Sequence, residues 1–569
     1  MKLLQPAPPP YDPLEWVKLP FEERGRKVCQ AWAVQGYGTP PATYVVYLLK
    51  IVFYVAMWSW FCGFSSESGT RLGGLGRLSE WWLSPIAFQK AILWSMLFEG
   101  LGLGCGSGPL TGRYAPPVGG FLYFLRPGTT KLPFFPGAPI VGAIRRGPLE
   151  ILLYMALLAA LTAALLAPVP PQHLLIAITL LVPAIGLCDR TIFLAVRAEH
   201  YWVTTACFAF AGNWIAGAQA VQLALWFWAG VSKLNHHFPT VVCVMTSNSP
   251  VTPFAWLRKL MYRSYPEDLR PSRLATAMAH AGTFLELGIP LVFIAAWAVG
   301  PTLGPVSLFV VALIMMITLH GFITSTVPMG VPIEWNVLVV YSGFALFWAH
   351  QGITPLDLGN PLLGAALIGM LVLLPLAGNL WPRRVSFLLA MRYYAGNWAY
   401  GVWMFRGESY RKLDKLTTSA PWVYDQLAHF YDKRTAIGLV GKVMAFRMMH
   451  LHGRALPLLI PRAVKRFEDY EYLDGEIVAG LVLGWNFGDG HLHREDFLAA
   501  VQAQCGFEPG ELRCIFVESQ PLGGSSLGYR IVDAATGQLE EGELPVAELR
   551  QRQPWEAQSP AAATLGSPS

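Results

Sequence analysis

Apolar runs close to twenty residues long recur along the chain, and this feature constrains its fold more than any other. About twenty apolar residues in a helix cross the hydrocarbon core of a bilayer. Only 14% of the 569 residues are charged, whereas a soluble protein carries roughly 25%. The sequence therefore predicts an all-α polytopic membrane helical bundle of about 8–9 spans. The apolar runs are Pro40–Phe64, Ile86–Gly104, Leu149–Ala167, His173–Val196, Trp202–Gly230, Leu274–Val299, Val306–Phe322, Asn336–Ala349 and Leu362–Leu380.

Changes in composition divide the chain into five predicted parts. The aromatic-rich stretch Ser386–Phe405 predicts an interfacial helix. Beyond it the charge density is ordinary, and the patterns predict a helix at Arg494–Gln504 and strands at Leu512–Ser519 and Leu527–Asp533. The parts are an interfacial segment (1–39), the bundle (40–381), an aromatic interfacial helix (382–406), a small C-terminal α/β soluble module (407–550) and a disordered tail rich in Pro, Ala and Ser (551–569).

Basic residues indicate which side of the membrane the loops face. The loop Lys233–Arg273 and the stretch after Trp381 are basic, which favours the cytoplasmic side and predicts a cytoplasmic C-terminal module. Nine spans would then place the N-terminus outside, although four basic residues within Lys18–Lys27 favour the opposite. This conflict indicates that one segment, either Ile86–Gly104 or the one beginning at Asn336, does not fully cross.

The stretch Val221–Pro239, VQLALWFWAGVSKLNHHFP, changes most sharply from an apolar run to reactive side chains, namely Lys233, Asn235, His236 and His237. Lipid cannot satisfy an amine and two imidazoles, so an ionisable cluster at a helix mouth is a functional candidate. Two interpretations of Lys233 remain open. It is an electrostatic anchor that reaches lipid phosphates, which its position alone favours, or a buried amine that acts as a base.

Other ionisable residues lie inside apolar runs, with Glu286 in HAGTFLELGIPLVF and His320 in MMITLHGFITS. A lone membrane histidine is usually a structural hydrogen-bond partner. Ionisable groups on separate helices are costly unless they meet, so we expect these two to converge with Lys233. Lys50 and Glu99 are further candidates for charge inside the bundle.

The twelve histidines match no metal-binding pattern. The HxxxH and HxxHH boxes of membrane di-iron oxygenases are absent from the sequence. Neither HLH (His450–His452) nor GDGHLHRED (Gly488–Asp496) has the spacing of a defined zinc site. We therefore expect no metal site, and we expect no nucleic-acid partner.

Several short motifs, taken in order, resemble a known family. AGVSKL (Ala229–Leu234), LELGIPL (Leu285–Leu291) and Leu319–His320 are similar to the horizontally transferred transmembrane domain, the membrane part of vitamin K-dependent γ-glutamyl carboxylase. Asp189–Thr191 resembles a landmark that precedes a histidine in that family, although His200 lies about a turn later than expected. The NHHFP string with its appended module also resembles a family of large bacterial membrane proteins of unknown function.

The resemblance implies roles for individual residues. It implies that Lys233 is the base on reduced vitamin K, that His320 lines the quinol pocket and that Glu286 is a structural acid. The carboxylase's large extramembrane domain has no counterpart here, so carboxylation of protein glutamates is not supported. The resemblance to the bacterial family implies a multi-pass protein of the bacterial inner membrane, whereas the carboxylase resemblance would place the C-terminal module outside.

Two functional hypotheses from different classes follow. The first is an intramembrane enzyme that acts on a quinol or lipid-like substrate, with Lys233 and His320 catalytic and with a reduced quinone as cofactor. Its substrate-binding residues would be His236, His237, Asn235, Glu286 and His200. The alternative is a non-catalytic binder or transporter of a membrane lipid or small molecule. Under both hypotheses the expected partner is a membrane lipid or quinone.

Overall fold

A computed structural model describes residues 2–104, 120–326, 332–393, 396–487 and 490–557. The structure is mostly helical, with a small sheet near the C-terminus. The helices that precede the sheet are α1 (Pro13–Trp16), α2 (Phe21–Gln35), α3 (Pro41–Cys62), α4 (Leu78–Trp81), α5 (Pro85–Gly100), α6 (Gly120–Phe124), α7 (Pro148–Leu166), α8 (Gln172–Cys188), α9 (Arg190–Ala195), α10 (Val203–Phe210), α11 (Trp214–Ser232), α12 (Phe238–Asn248), α13 (Ala255–Lys259), α14 (Arg273–Val299), α15 (Leu308–Thr324), α16 (Ile333–Ser342), α17 (Pro361–Ile368) and α18 (Leu374–Leu380).

Five helices among the described residues are long and apolar enough to cross a membrane. They are α3, α7, α11, α14 and the continuous helix Pro361–Leu380, in which a π-helical turn joins α17 to α18. Helices α8 and α15, and α16 with the π-helical turn that continues it to Trp348, are apolar but shorter. The prediction of a helical membrane protein is confirmed, whereas the count of eight to nine spans remains a prediction.

Two predicted spans each divide into two helices. The run His173–Val196 breaks at Asp189, between α8 and α9. The run Trp202–Gly230 breaks at Ala211–Asn213, between α10 and α11. The Asn213 side chain accepts a hydrogen bond from the Ile215 amide at 3.2 Å and so begins α11. Helix α10 packs back on α11, with Gly217 against Cys207. A Gly-Asn pair is a turn signal, and here it overrides the apolar run.

The C-terminal part is built on a five-stranded antiparallel sheet. Its strand order is β11-β10-β9-β7-β8, and three two-stranded hairpins lie elsewhere in the described chain. The strands are β1 (Ser66–Glu67), β2 (Thr70–Arg71), β3 (Tyr262–Ser264), β4 (Asp268–Pro271), β5 (Thr302–Leu303), β6 (Val306–Ser307), β7 (Tyr400–Arg406), β8 (Tyr470–Asp474), β9 (Leu512–Val517), β10 (Ser526–Asp533) and β11 (Gly537–Pro545). The remaining helices are α19 (Val423–Leu427), α20 (Lys433–Met449), α21 (Leu456–Ala463), α22 (Gly475–Leu483), α23 (Glu495–Cys505) and α24 (Val546–Gln551). The predicted strands at Leu512 and Leu527 and the predicted helix at Arg494 are confirmed as β9, β10 and α23.

The prediction of an interfacial helix at 382–406 is wrong for the described residues of that segment. Residues 387–391 form turns, and Tyr400–Arg406 is strand β7, between β9 and β8, with every residue but Arg406 buried. Alternate side chains of a strand point to opposite faces, so the aromatic residues of YGVWMF fill the core on both sides of the sheet. The sheet therefore begins before residue 407.

The N-terminal segment packs on the C-terminal module. Helix α2 lies against α20, Arg434 forms an ion pair with Asp12 at 3.1 Å, and the Tyr431 hydroxyl donates to the Leu4 carbonyl at 3.0 Å.

The predicted disordered tail is ordered at its start, because α24 reaches Gln551 and Trp555 is buried. Residues 558–569 lie outside the described residues.

Candidate functional site

Lys233 lies at the C-terminal end of α11 and forms an ion pair with Glu286 of α14. Its Nζ also donates to the Ala229 carbonyl at 3.1 Å and lies 5.5 Å from the Phe238 ring centroid. Both charged side chains are buried. The helices approach closely here, since a Cβ added at Gly230 would lie 2.7 Å from the Leu287 side chain. The small residues before Lys233 therefore allow its contact with Glu286.

This contact differs from what is expected of Lys233 either as a lipid anchor or as a general base. The ammonium is held by a carboxylate and a carbonyl of the protein, whereas an anchor would reach lipid phosphates. A general base must have its amine free to contact a substrate, whereas this amine is occupied by Glu286 and Ala229. The pair therefore acts, in this structure, as a polar link between α11 and α14.

His320 of α15 has both ring nitrogens engaged. Its Nε2 accepts from the Trp226 indole at 3.1 Å, so the proton is on Nδ1, which lies 2.8 Å from the Asn336 amide oxygen. Trp226 is on α11 and Asn336 on α16. The histidine joins three helices, and its catalytic role remains a prediction.

His200 belongs to a second polar group in the bundle. Its Nδ1 accepts from the Trp335 indole at 3.1 Å, and the Trp335 ring centroid lies 6.1 Å from that of His200 and 6.4 Å from that of His320. Nearby, Arg197 and Glu199 form an ion pair at 3.0 Å. Thus Trp335 connects His200 to His320, while Lys233 contacts Glu286.

Asn235 and His237 face the C-terminal module. The Asn235 side chain donates to the Pro521 carbonyl at 3.1 Å and accepts from the Gly523 amide at 3.0 Å. His237 is buried 5.9 Å from the His452 ring, and neither of its nitrogens has a hydrogen-bond partner among the described residues. Burial lowers the pKa of His237 well below its ordinary value, with His452 adding to the effect. His236 is exposed. Asn235 and His237 contact the module where it meets the bundle. The role of all three side chains in substrate binding stays a prediction.

Charged pairs elsewhere in the bundle show how polar side chains are satisfied. Lys50 of α3 and Glu334 of α16 form an ion pair at 3.2 Å. Glu99 is buried on α5 and interacts electrostatically with both of them. Charged residues within apolar runs were the sequence signal for Lys50 and Glu99, but the sequence did not identify their partners. Among the described residues, no group of three or more His, Cys, Asp or Glu side chains could hold a metal ion.

An apolar groove of about 820 Å³ lies between α11, α14 and the helix Pro361–Leu380, and Pro355, Leu356 and 358–360 also line it. Its lining includes Ala224 and Phe227 of α11, Ile294 of α14 and Gly364 of α17. The two polar groups in the lining are already engaged. The Trp228 indole donates to the Leu371 carbonyl at 2.7 Å, and the Asn360 side chain caps α17. Sequence reasoning missed this groove, because the residues that form it are ordinary apolar residues of spanning helices.

Comparison with known proteins concerns the chain as a whole. No curated protein and no solved structure matches it, so the resemblance to the carboxylase membrane domain remains a prediction. One family of transmembrane proteins matches residues 1–564. The chain therefore belongs to that family, which is described as "Transmembrane protein of unknown function (DUF3556)".

Proposed function

We propose that this protein binds the apolar chain of a membrane lipid or quinone in the groove between α11, α14 and the helix Pro361–Leu380. The observation that carries the proposal is that the groove is flanked by three of the five membrane-length helices. Its volume of about 820 Å³ falls in the range of small-molecule sites, roughly 300–1,000 Å³. Acyl and isoprenoid chains share the chemistry that such a groove accepts.

The lining supports an apolar occupant. It contains no titratable side chain, and its two polar side chains are engaged within the protein. Several lining residues are open to the surroundings, among them Leu356 at 94%, Ile368 at 57% and Leu291 at 55% exposure. At membrane depth the groove opens to lipid. The acyl or isoprenoid chain of a lipid can therefore enter the groove sideways from the bilayer without crossing a polar barrier.

The catalytic hypothesis has less support from the contacts of Lys233. A general base must reach the substrate to accept its proton, whereas the Lys233 amine is held by the Glu286 carboxylate and the Ala229 carbonyl. Lys233→Arg tests this hypothesis, because arginine keeps the charge but does not release a proton. Conversion of a quinol or lipid by the purified wild-type protein, abolished by Lys233→Arg in a folded variant, would favour the enzyme over the binder.

The proposed location is the bacterial inner membrane, with the C-terminal module in the cytoplasm. The basic residues of the loop Lys233–Arg273 support this orientation. The N-terminal segment packs on the module, so the chain enters and leaves the bundle on one side. An even number of crossings follows. An even number fits the expectation that one of the nine predicted runs does not fully cross the membrane.

Two glycine variants of one helix test lipid binding. A Cβ at Gly364 would meet only Leu358, at 3.6 Å, so Gly364→Leu should enter the groove without a clash. Gly369→Leu is the matched control, because a Cβ there would meet nothing within 4 Å and the residue does not line the groove. Mass spectrometry of lipids that remain with the purified protein should show one lipid class lost in Gly364→Leu and retained in Gly369→Leu. Equal lipid content in both variants would contradict the proposal.

A further inference from the structure

We propose that the segment between α12 and β3 is a docking surface for anionic phospholipid headgroups. Four large apolar side chains on it are exposed, and we call them the interfacial patch: Val251 at 66%, Phe254 at 60%, Trp256 at 63% and Leu260 at 48%. Contiguous exposed apolar residues of this size mark an interaction surface. This surface is separate from the groove.

The patch is held outward by a buried arginine. The Arg258 guanidinium donates to the carbonyls of Thr252 at 2.6 Å, Val34 at 2.8 Å and Ser249 at 3.0 Å. These bonds fix the loop to α2 and to the end of α12. Because Arg258 is engaged inside, the apolar side chains of α13 and its flanks point away from the protein.

Hydrogen bonds place the patch at the start of a membrane helix. The Ser272 hydroxyl donates to the Leu260 carbonyl at 2.6 Å, and the Ser272 amide donates to the Met261 carbonyl at 2.9 Å. Ser272 is the N-cap of α14, one of the helices long enough to cross the bilayer. The patch therefore lies where that helix leaves the membrane. Tryptophan is favoured at that depth, and phenylalanine and leucine are typical of the apolar face of interfacial segments.

The charges beside the patch select the kind of lipid. Lys259 and Arg263 are exposed, and neither forms an ion pair with any described residue. Within the β3–β4 hairpin, Asp268 is already paired with Arg270, and Glu267 is the one other acid. Exposed basic residues next to an apolar patch bind anionic headgroups, as in other interfacial segments. The proposed binding partner of the patch is therefore the anionic leaflet of the membrane.

Spin labelling of the full-length protein in vesicles of phosphatidylcholine and phosphatidylglycerol tests the position of the patch. The label is placed at Trp256→Cys, and at Phe430→Cys as a control, since Phe430 is 51% exposed on the module. Cysteines among the described residues are buried, and wild-type protein measures any background labelling. We expect the label at 256 to collide with oxygen and to be shielded from a water-soluble nickel reagent, whereas the label at 430 shows the reverse. Equal access of the nickel reagent to both labels, or shielding of position 256 from both reagents by a second protein copy, would overturn the proposal.

Charge removal tests the lipid preference. Lys259→Gln/Arg263→Gln should reduce the enrichment of phosphatidylglycerol around the protein by roughly fivefold or more. Lys465→Gln/Arg466→Gln, an equal change of charge on the exposed surface of the module, should leave that enrichment unchanged. Enrichment that survives the first double variant would contradict anionic headgroup binding, even if position 256 lies in the membrane.

Discussion

Helix α11 presents two different surfaces to its neighbours. Along one surface Trp226 bonds His320 and, at the end of the helix, Lys233 pairs with Glu286. Along the other surface Ala224 and Phe227 line the groove, whose lining residues include no titratable side chain. The difference shows that Trp226 and the C-cap residue Lys233 link α11 to its neighbouring helices, whereas the groove is lined by apolar side chains. Charged residues in a membrane protein are functional candidates by default, yet here their partners are other residues of the chain.

Removing one member of the buried pair should have the largest effect. Lys233→Ala leaves the Glu286 carboxylate buried without its partner, and we expect a loss of about 3–5 kcal/mol in the free energy of unfolding. Denaturant unfolding in detergent micelles measures it. The double variant Lys233→Met/Glu286→Leu is the control, because replacing both charges by apolar groups should restore most of the stability. A Lys233→Ala variant as stable as the wild type would contradict the linking role.

The His320 bonds should contribute less. His320→Leu leaves the Trp226 indole and the Asn336 amide oxygen without this partner, which should cost about 1–3 kcal/mol in stability. Thr318→Val on the exposed face of α15 serves as the control and should change stability by no more than about 0.5 kcal/mol. If His320→Leu is as stable as the control while lipid retention falls, the histidine belongs to the lipid-binding surface. The contrast between the two surfaces of α11 would then be wrong.

Much of this architecture could be predicted from the sequence. The run Pro40–Phe64 is α3 (Pro41–Cys62), and the strand predicted at Leu512–Ser519 is β9. Hydrophobic length and alternation determine these elements locally. The segment 386–405 could not be assigned in this way, because buried strands and interfacial helices share an aromatic composition.

The candidate site was predictable only in part. The expectation that Lys233, Glu286 and His320 would meet was correct for the first two, since isolated charges are costly in a membrane. It did not specify that His320 would instead bond to Trp226, because that depends on how α11 and α15 are rotated. The groove depends on the gap between three helices, which no single segment encodes.

The stability of the protein, which depends on histidines of the module, should change with pH, whereas lipid binding in the groove should not. Burial lowers the pKa of His450 and of His452 from 6.5 to about 3. The unfolded chain therefore binds more protons, and stability should fall as the pH drops from 6.5 toward 3, by about 1 kcal/mol per histidine for each pH unit. Unfolding of the full chain at a series of pH values measures this slope.

Two controls accompany the pH series. His450→Gln should make the slope shallower, whereas His429→Gln, on the exposed surface, should leave it unchanged. Because the groove has no titratable lining residue, lipid retention by the folded protein should not vary over the same range. Lipid release that follows the protonation of His450 would contradict the separation of the two regions.

Cross-linking with a membrane lipid that carries a diazirine in its acyl or isoprenoid chain tests lipid binding most directly. After illumination of the protein in native membranes, peptide mass spectrometry locates the modified residues. We predict that Phe227, Leu291 and Ile294 of the groove are modified far more than Ile314 and Ile317, which are exposed on α15 outside it. Equal modification of both sets would mean that the groove is ordinary lipid-facing surface, and the proposed function would be wrong.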